Sequence, residues 1–152
     1  MRQSLYDAVG GSRVLLRLTA AHHARCLADP ELEHPFSHGE LNPEHVERLA
    51  AYLGEVLGGP PAFSRDCGDH SAVLLMHAGN GDMTELGRRF VDCFVAAFDD
   101  ADLPDDPALR AALAAYMRWA VDDVLDHEDP ASVPAGLPIP SWSWEGLLFR
   151  PG

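Results

Sequence analysis

The sequence predicts an all-α domain followed by an irregular arm. Three observations carry that prediction. Apolar residues recur at three- and four-residue intervals through most of the first 126 positions. Glycine and proline clusters separate the periodic stretches. No stretch alternates apolar and polar residues as a half-buried strand does.

The first long helix follows Gly10-Gly11, with Ser12 as the expected N-cap. Val14, Leu15, Leu18, Cys26 and Leu27 form its apolar stripe, and Arg13, Arg17 and Arg25 mark its wet side. Two adjacent histidines fall inside it. His22 continues the Leu15–Leu18 stripe, and His23 continues Leu16 toward Leu27, so both flank the buried face. Asp29-Pro30 ends the helix. A polar connection with three prolines and one isolated aromatic, Phe36, comes next.

A second helix starts at Asn42-Pro43. Val46, Leu49, Ala50, Leu53 and Leu57 form its face, with His45, Tyr52 and Val56 along one edge. Gly58-Gly59-Pro60-Pro61 stops it, and residues 62–68 read as a loop. A short helix capped by Asp69 ends at His77, before the AGNGD break. A long helix runs from about Met83 to Phe98. The last carries Leu109, Leu113, Tyr116, Met117, Ala120 and Val124 in step. From His127 the character changes. Five prolines and three glycines exclude a regular helix over most of the segment, yet Trp142, Trp144, Leu147, Leu148 and Phe149 are too apolar for a solvated tail. Residues 1–126 therefore read as one domain. Residues 127–152 read as an extended arm packed on its helices or on a second subunit, the latter making a homodimer.

The bulk properties exclude several function classes. A chain of 152 residues can bury the core of one domain. A net charge of −13 repels nucleic acid and anionic membranes. All eleven basic residues are arginine, so an anion held inside must be met by Arg, His or backbone N–H groups. No run approaches the roughly twenty apolar residues of a membrane span. Cys26, Cys67 and Cys93 are odd in number and lack C-x-x-C spacing. They read as reduced thiols of a cytoplasmic protein, with Cys26 and Cys93 packing as small hydrophobes.

The histidines carry the chemistry. His77 sits behind Val73, Leu74 and Leu75 at a helix end, where an imidazole either meets the terminal carbonyls or binds a metal. His70 lies seven residues earlier, about 10 Å along the helix, too far for the pair to share one ion. It reads as a helix cap. A di-iron bundle needs two Glu-x-x-His motifs, and only Glu31–His34 has that spacing. His34, His38 and His127 read as surface residues.

The order of motifs is more specific than any one of them. SLYDAVGG (4–11), ADP (28–30), PF (35–36), ERLAAYLGEVLGGP (47–60), Phe63-Ser64 with Gly68, and MHA (76–78) appear in the order and spacing of the truncated haemoglobins. The chain resembles most closely their second group, over about residues 4–126. The resemblance implies a shortened globin fold, two helices on two helices, that holds haem b. It implies that His77 is the proximal iron ligand, with its second ring nitrogen on a nearby carbonyl. It implies that Arg48 reaches a haem propionate. Leu49, Leu53, Phe36, Phe63, Leu74 and Phe90 are the implied pocket lining, with Val56, Val73 and Phe94 as further apolar candidates.

The same resemblance gives the histidine pair a role. His23 falls on the distal side of the iron, where the family usually carries tyrosine. His22 falls where a packing aromatic is usual, and His70 either approaches the haem edge or caps its helix, the cap being the favoured reading. His45 falls at the distal-histidine position of ordinary globins, and either His45 or His23 can supply a sixth ligand. Phe90 replaces a usual tryptophan and Phe36 an often-found tyrosine. Losing two hydrogen-bond donors, each worth about 0.5–1.5 kcal/mol, speeds ligand escape roughly ten- to a hundredfold. The implied function is reversible binding of oxygen, nitric oxide or carbon monoxide. Conversion of nitric oxide to nitrate with a reductase partner is the implied redox role. Two alternatives stay open: a peroxidase-like haem enzyme using a distal histidine as base, and a globin-shaped binding module without haem.

Overall fold

The computed structural model describes residues 3–32, 45–77, 83–127 and 129–149, with the side chains of Met76, His77 and Phe149 left aside. Ser4 opens helix α1 (Leu5–Val9) by accepting the Asp7 N–H, and Gly10 ends it at φ 113°. That φ lies in the left-handed region that glycine enters without a Cβ penalty. Helix α2 (Ser12–Ala28) starts one residue earlier than the hydroxyl suggests. Gly11 is the N-cap, and no side chain caps the end. Asp29 closes it as expected, its N–H reaching the Arg25 and Cys26 carbonyls.

Helix α3 (His45–Val56) runs to the Gly58-Gly59 turn. A Cβ on Gly59 would lie 2.5 Å from the Tyr6 ring and 2.8 Å from the Gly54 carbonyl, so the backbones meet where only glycine fits. The expected loop at 62–68 contains a single turn, α4 (Ala62–Asp66), whose Ser64 N–H donates to Glu55 Oε1 at 2.8 Å. Five residues are too few for a periodic signal. Helix α5 (His70–His77) is capped by Asp69, which accepts the Ala72 N–H at 2.9 Å. Helix α6 (Thr84–Asp100) and helix α7 (Pro107–Asp126) follow, the latter with Asp106 as cap and proline in its first turn.

Helix α2 packs against α3 on one side and α6 on the other, and α6 packs against α7. This is the two-over-two arrangement of a shortened globin. Leu15, Leu18, Leu53, Val56, Phe94, Phe98, Leu113 and Tyr116 fill the core. Cys26 is fully buried, and burial, reinforced by Cys93 nearby, pushes its thiol up to about 12. It packs as the small hydrophobe expected. No helix among the described residues is long and apolar enough to cross a membrane.

The arm departs from the expectation of no strands. After a 3-10 turn (Pro130–Ser132), β1 (Ser141–Ser143) and β2 (Gly146–Phe149) form an antiparallel hairpin, irregular between Ser141 and Trp142. Strands of three and four residues cannot show alternation in the sequence. Trp142 is buried against Tyr116 and Trp119, and its indole N–H donates to the Ala112 carbonyl at 3.2 Å. Trp144 donates to the Gln3 carbonyl at 2.8 Å. The hairpin therefore lies on this chain's own helices.

Candidate functional site

The two adjacent histidines of α2 have different surroundings. His22 is 2 % exposed, with its ring edge-on to Phe90 and Phe94 at 4.3 and 5.1 Å. Its Nε2–H donates to the Phe90 carbonyl at 3.0 Å, since a carbonyl only accepts. Burial lowers its pKa to about 4; the Phe90 hydrogen bond opposes that, and His23 adds a smaller push downward. His22 is a neutral core residue that joins α2 to α6, as a packing aromatic would.

His23 is half-buried one position on, and it faces His45 at the start of α3. The ring centroids are 5.5 Å apart with an interplanar angle of 56°. The fold thus brings together two imidazoles that are 22 positions apart in the chain. Leu49 lies one turn beyond His45 and is half-buried, and Leu53 is buried another turn on. Phe90 is half-buried, with His22 of α2 packed edge-on against it. The candidate distal side is therefore two imidazoles against an apolar wall.

The other candidates are spread over neighbouring elements. Phe63 on α4 is buried edge-on to Tyr52 at 5.2 Å, and Leu74 on α5 is buried. Arg48 is exposed. It lines an open groove of about 420 Å³ between α3 and α4 with Glu47, Ala51, Ala62, Asp66 and Cys67. His77 is the last residue of α5. Its side chain, together with Phe36, His34 and His38, lies outside the described residues.

Two histidines differ from the sequence expectation. His70 does not cap α5; Asp69 does. The His70 ring turns inward, Nδ1 lying 2.9 Å from the Tyr52 hydroxyl and Nε2 2.7 Å from Asp123 Oδ2. His127 is half-buried rather than at the surface, with Nδ1 2.8 Å from the Asp123 carbonyl. The signal for this network is Asp123 itself. It lies seven residues after Tyr116 on the apolar stripe of α7, where an aspartate needs a partner. The first turn of α5 is also tied to the arm. The His70 N–H donates to the Leu137 carbonyl at 3.0 Å, the Leu137 N–H donates to Ser71 Oγ at 2.9 Å, and the Ser71 hydroxyl donates to the Pro134 carbonyl.

Residues 4–122 match the family described as bacterial-like globin. Among solved structures, the haemoglobin of the actinobacterium Thermobifida fusca is 29% identical, with a TM-score of 0.67 over 81% of this chain and 97% of that one. The haemoglobin of the thermophilic phototroph Chloroflexus aurantiacus is 24% identical, with a TM-score of 0.69 over 82% and 98%. The group II truncated haemoglobin of Bacillus anthracis shares the fold at 16% identity, with a TM-score of 0.69 over 85% and 92%. No curated protein sequence matches the chain. The match ends before the arm begins.

Proposed function

The chain belongs to the bacterial-like globin family, and we propose that it is a haem-binding truncated globin with His77 as the proximal ligand. The single observation that carries the proposal is the meeting of His23 and His45 at 5.5 Å between α2 and α3, beside Leu49 and Leu53. The donor set suits haem b. Among the described residues no three His, Cys, Asp or Glu side chains are grouped to hold a bare metal ion. Haem brings four nitrogens of its own and asks the protein for one neutral imidazole and an apolar wall.

Bound haem supplies an iron that takes a diatomic ligand and exchanges single electrons. The remaining work falls to the chain. His77, at the end of α5, provides an imidazole on a defined backbone. His23 and His45 would be the hydrogen-bond donors to a bound ligand in place of the hydroxyl and indole usual in the group, and either could instead serve as a second protein ligand to the iron. Phe90, with its carbonyl bonded to His22, supplies bulk without a donor. Arg48 offers a guanidinium to a propionate at the pocket edge. Leu74, Phe63 and Phe36 complete the lining. The ligands are oxygen, nitric oxide and carbon monoxide. Conversion of nitric oxide and oxygen to nitrate, with one electron from a reductase, is the redox role such a site would support.

The test is the visible spectrum of the haem-reconstituted chain, ferric, ferrous and ferrous with carbon monoxide, beside His77→Ala. Wild type is expected to show a histidine-ligated spectrum that the variant loses. Low-spin ferric bands without added ligand would identify His23 or His45 on the iron. A wild type that leaves haem free refutes the reading.

A further inference from the structure

A buried relay of hydrogen bonds crosses the fold, and neither haem binding nor packing accounts for its composition. Tyr52 on α3, His70 on α5 and Asp123 on α7 are 6 %, 4 % and 6 % exposed. His70 bridges the other two, at 2.9 Å from the phenol and 2.7 Å from the carboxylate. Tyr116, buried in the core, lies beside Tyr52 in turn. A carboxylate in such a place is costly to desolvate, and apolar side chains of similar volume would fill the space at less cost.

The protons in this relay have a direction. An ionised carboxylate only accepts, so His70 Nε2 carries a hydrogen. When the ring is neutral, Nδ1 is then the acceptor, and the Tyr52 hydroxyl donates to it. The hydrogen bonds run in the order Tyr52, His70, Asp123.

We propose that Tyr52 is a one-electron redox site with His70 as its built-in proton acceptor. An oxidised phenol is strongly acidic, so oxidation is easiest where a base already holds the phenolic hydrogen bond. The step balances as follows. Tyr52 gives one electron to a one-electron oxidant, and its phenolic proton passes to His70 Nδ1. The products are a neutral phenoxyl radical and an imidazolium, whose charge faces Asp123 at 2.7 Å. His127, 3.7 Å from the other carboxylate oxygen, is a further ionisable group beside it. Return of one electron restores the phenol and draws the proton back. In a haem-loaded chain, peroxide is the class of oxidant that supplies such equivalents.

The surroundings suit a radical that persists and exchanges electrons. Tyr52 is shielded from water. Beyond it, Tyr116 lies 5.6 Å from Trp142, and Trp142 lies 5.7 Å from the half-buried Trp119. These oxidisable rings lead from the core toward the surface. On the pocket side, Phe63 stands edge-on to Tyr52.

The site needs no haem, so its test is separate from the haem reading. The full chain is oxidised by flash-generated tris(bipyridine)ruthenium(III), frozen, and read by electron paramagnetic resonance. A tyrosyl signal is expected in wild type and is lost in Tyr52→Phe. His70→Gln removes the proton acceptor and slows its formation about tenfold or more. A tyrosyl signal unchanged in Tyr52→Phe, a tryptophan radical in its place in wild type, or an unchanged rate in His70→Gln overturns the proposal. In wild type, proton transfer to His70 slows radical formation in deuterium oxide. Equal rates in the two solvents overturn the proposal even where a variant fails to fold.

Discussion

Trp142→Ala tests whether the segment beyond the family match belongs to the folded core. Trp142 is 9 % exposed, touches Tyr116 and Trp119, and donates to the Ala112 carbonyl. Emptying a buried tryptophan site costs about 3–5 kcal/mol, since the surroundings collapse only in part. The lost hydrogen bond adds little. Ala112 lies inside α7, so its carbonyl keeps the helical N–H of Tyr116 four residues on. Trp142→Phe keeps most of the ring and loses the N–H, so it costs about 1–2 kcal/mol. Trp144 is only half-buried and its bond to Gln3 is exposed, so Trp144→Ala costs about 1 kcal/mol or less. The assay is equilibrium unfolding in urea at fixed protein concentration, with the slope checked for constancy. The expected order is Trp142→Ala, then Trp142→Phe, then Trp144→Ala. A Trp142→Ala variant within about 0.5 kcal/mol of wild type would refute the reasoning, because only a peripheral residue behaves so.

Three further outcomes follow from the same packing. His22 binds fewer protons folded, at a pKa of about 4, than unfolded, near 6.5. Its contribution is therefore present above the unfolded value and is lost as pH falls from about 6.5 toward 4, by about 3 kcal/mol in all. Urea midpoints at pH 7.5 and 5 should show this slope, and His22→Leu should flatten it. Gly59→Ala forces a methyl into the Tyr6 ring and the Gly54 carbonyl, so it should cost about 1–3 kcal/mol by thermal unfolding; a neutral result would mean the α1–α3 contact is looser than described. In the haem-loaded chain, His23→Leu should speed oxygen escape about tenfold by flash photolysis, the worth of one hydrogen bond near the upper end of its range. No change would leave His45 as the donor.

The helices were legible because their faces repeat every three to four residues over ten or more positions, as in α6 and α7. Their ends were legible where proline or glycine marks them, as at Asp29-Pro30 and Gly58-Gly59. The short elements were not. Helix α4 and the hairpin strands are five residues or fewer, below the length at which a period can be read. The candidate site divides in the same way. Spacing placed His22 and His23 at the margins of one buried face. It could not say which would turn toward Phe90 and which toward His45, since those contacts span 68 and 22 positions. His70 was read as a cap because its partners lie 18 and 53 residues away, on two other helices. Periodicity assigns a residue to a face; which neighbour meets that face is a tertiary matter.

That tertiary layer gives helix α5 two kinds of support. Its far end is His77, the residue proposed as the iron ligand. Its first turn is held from inside by His70, between α3 and α7, and from outside by residues 134–137 of the arm on Ser71 and the His70 backbone. The arm is anchored on α7 through Trp142. Helix α7 thus reaches α5 by two routes, one through a buried carboxylate and one through a segment outside the family match. A helix of eight residues is too short to hold its own geometry in water. Its position must come from such contacts. The position of α5 is therefore set partly by residues far along the chain from it, Asp123 on α7 and residues 134–137 of the arm.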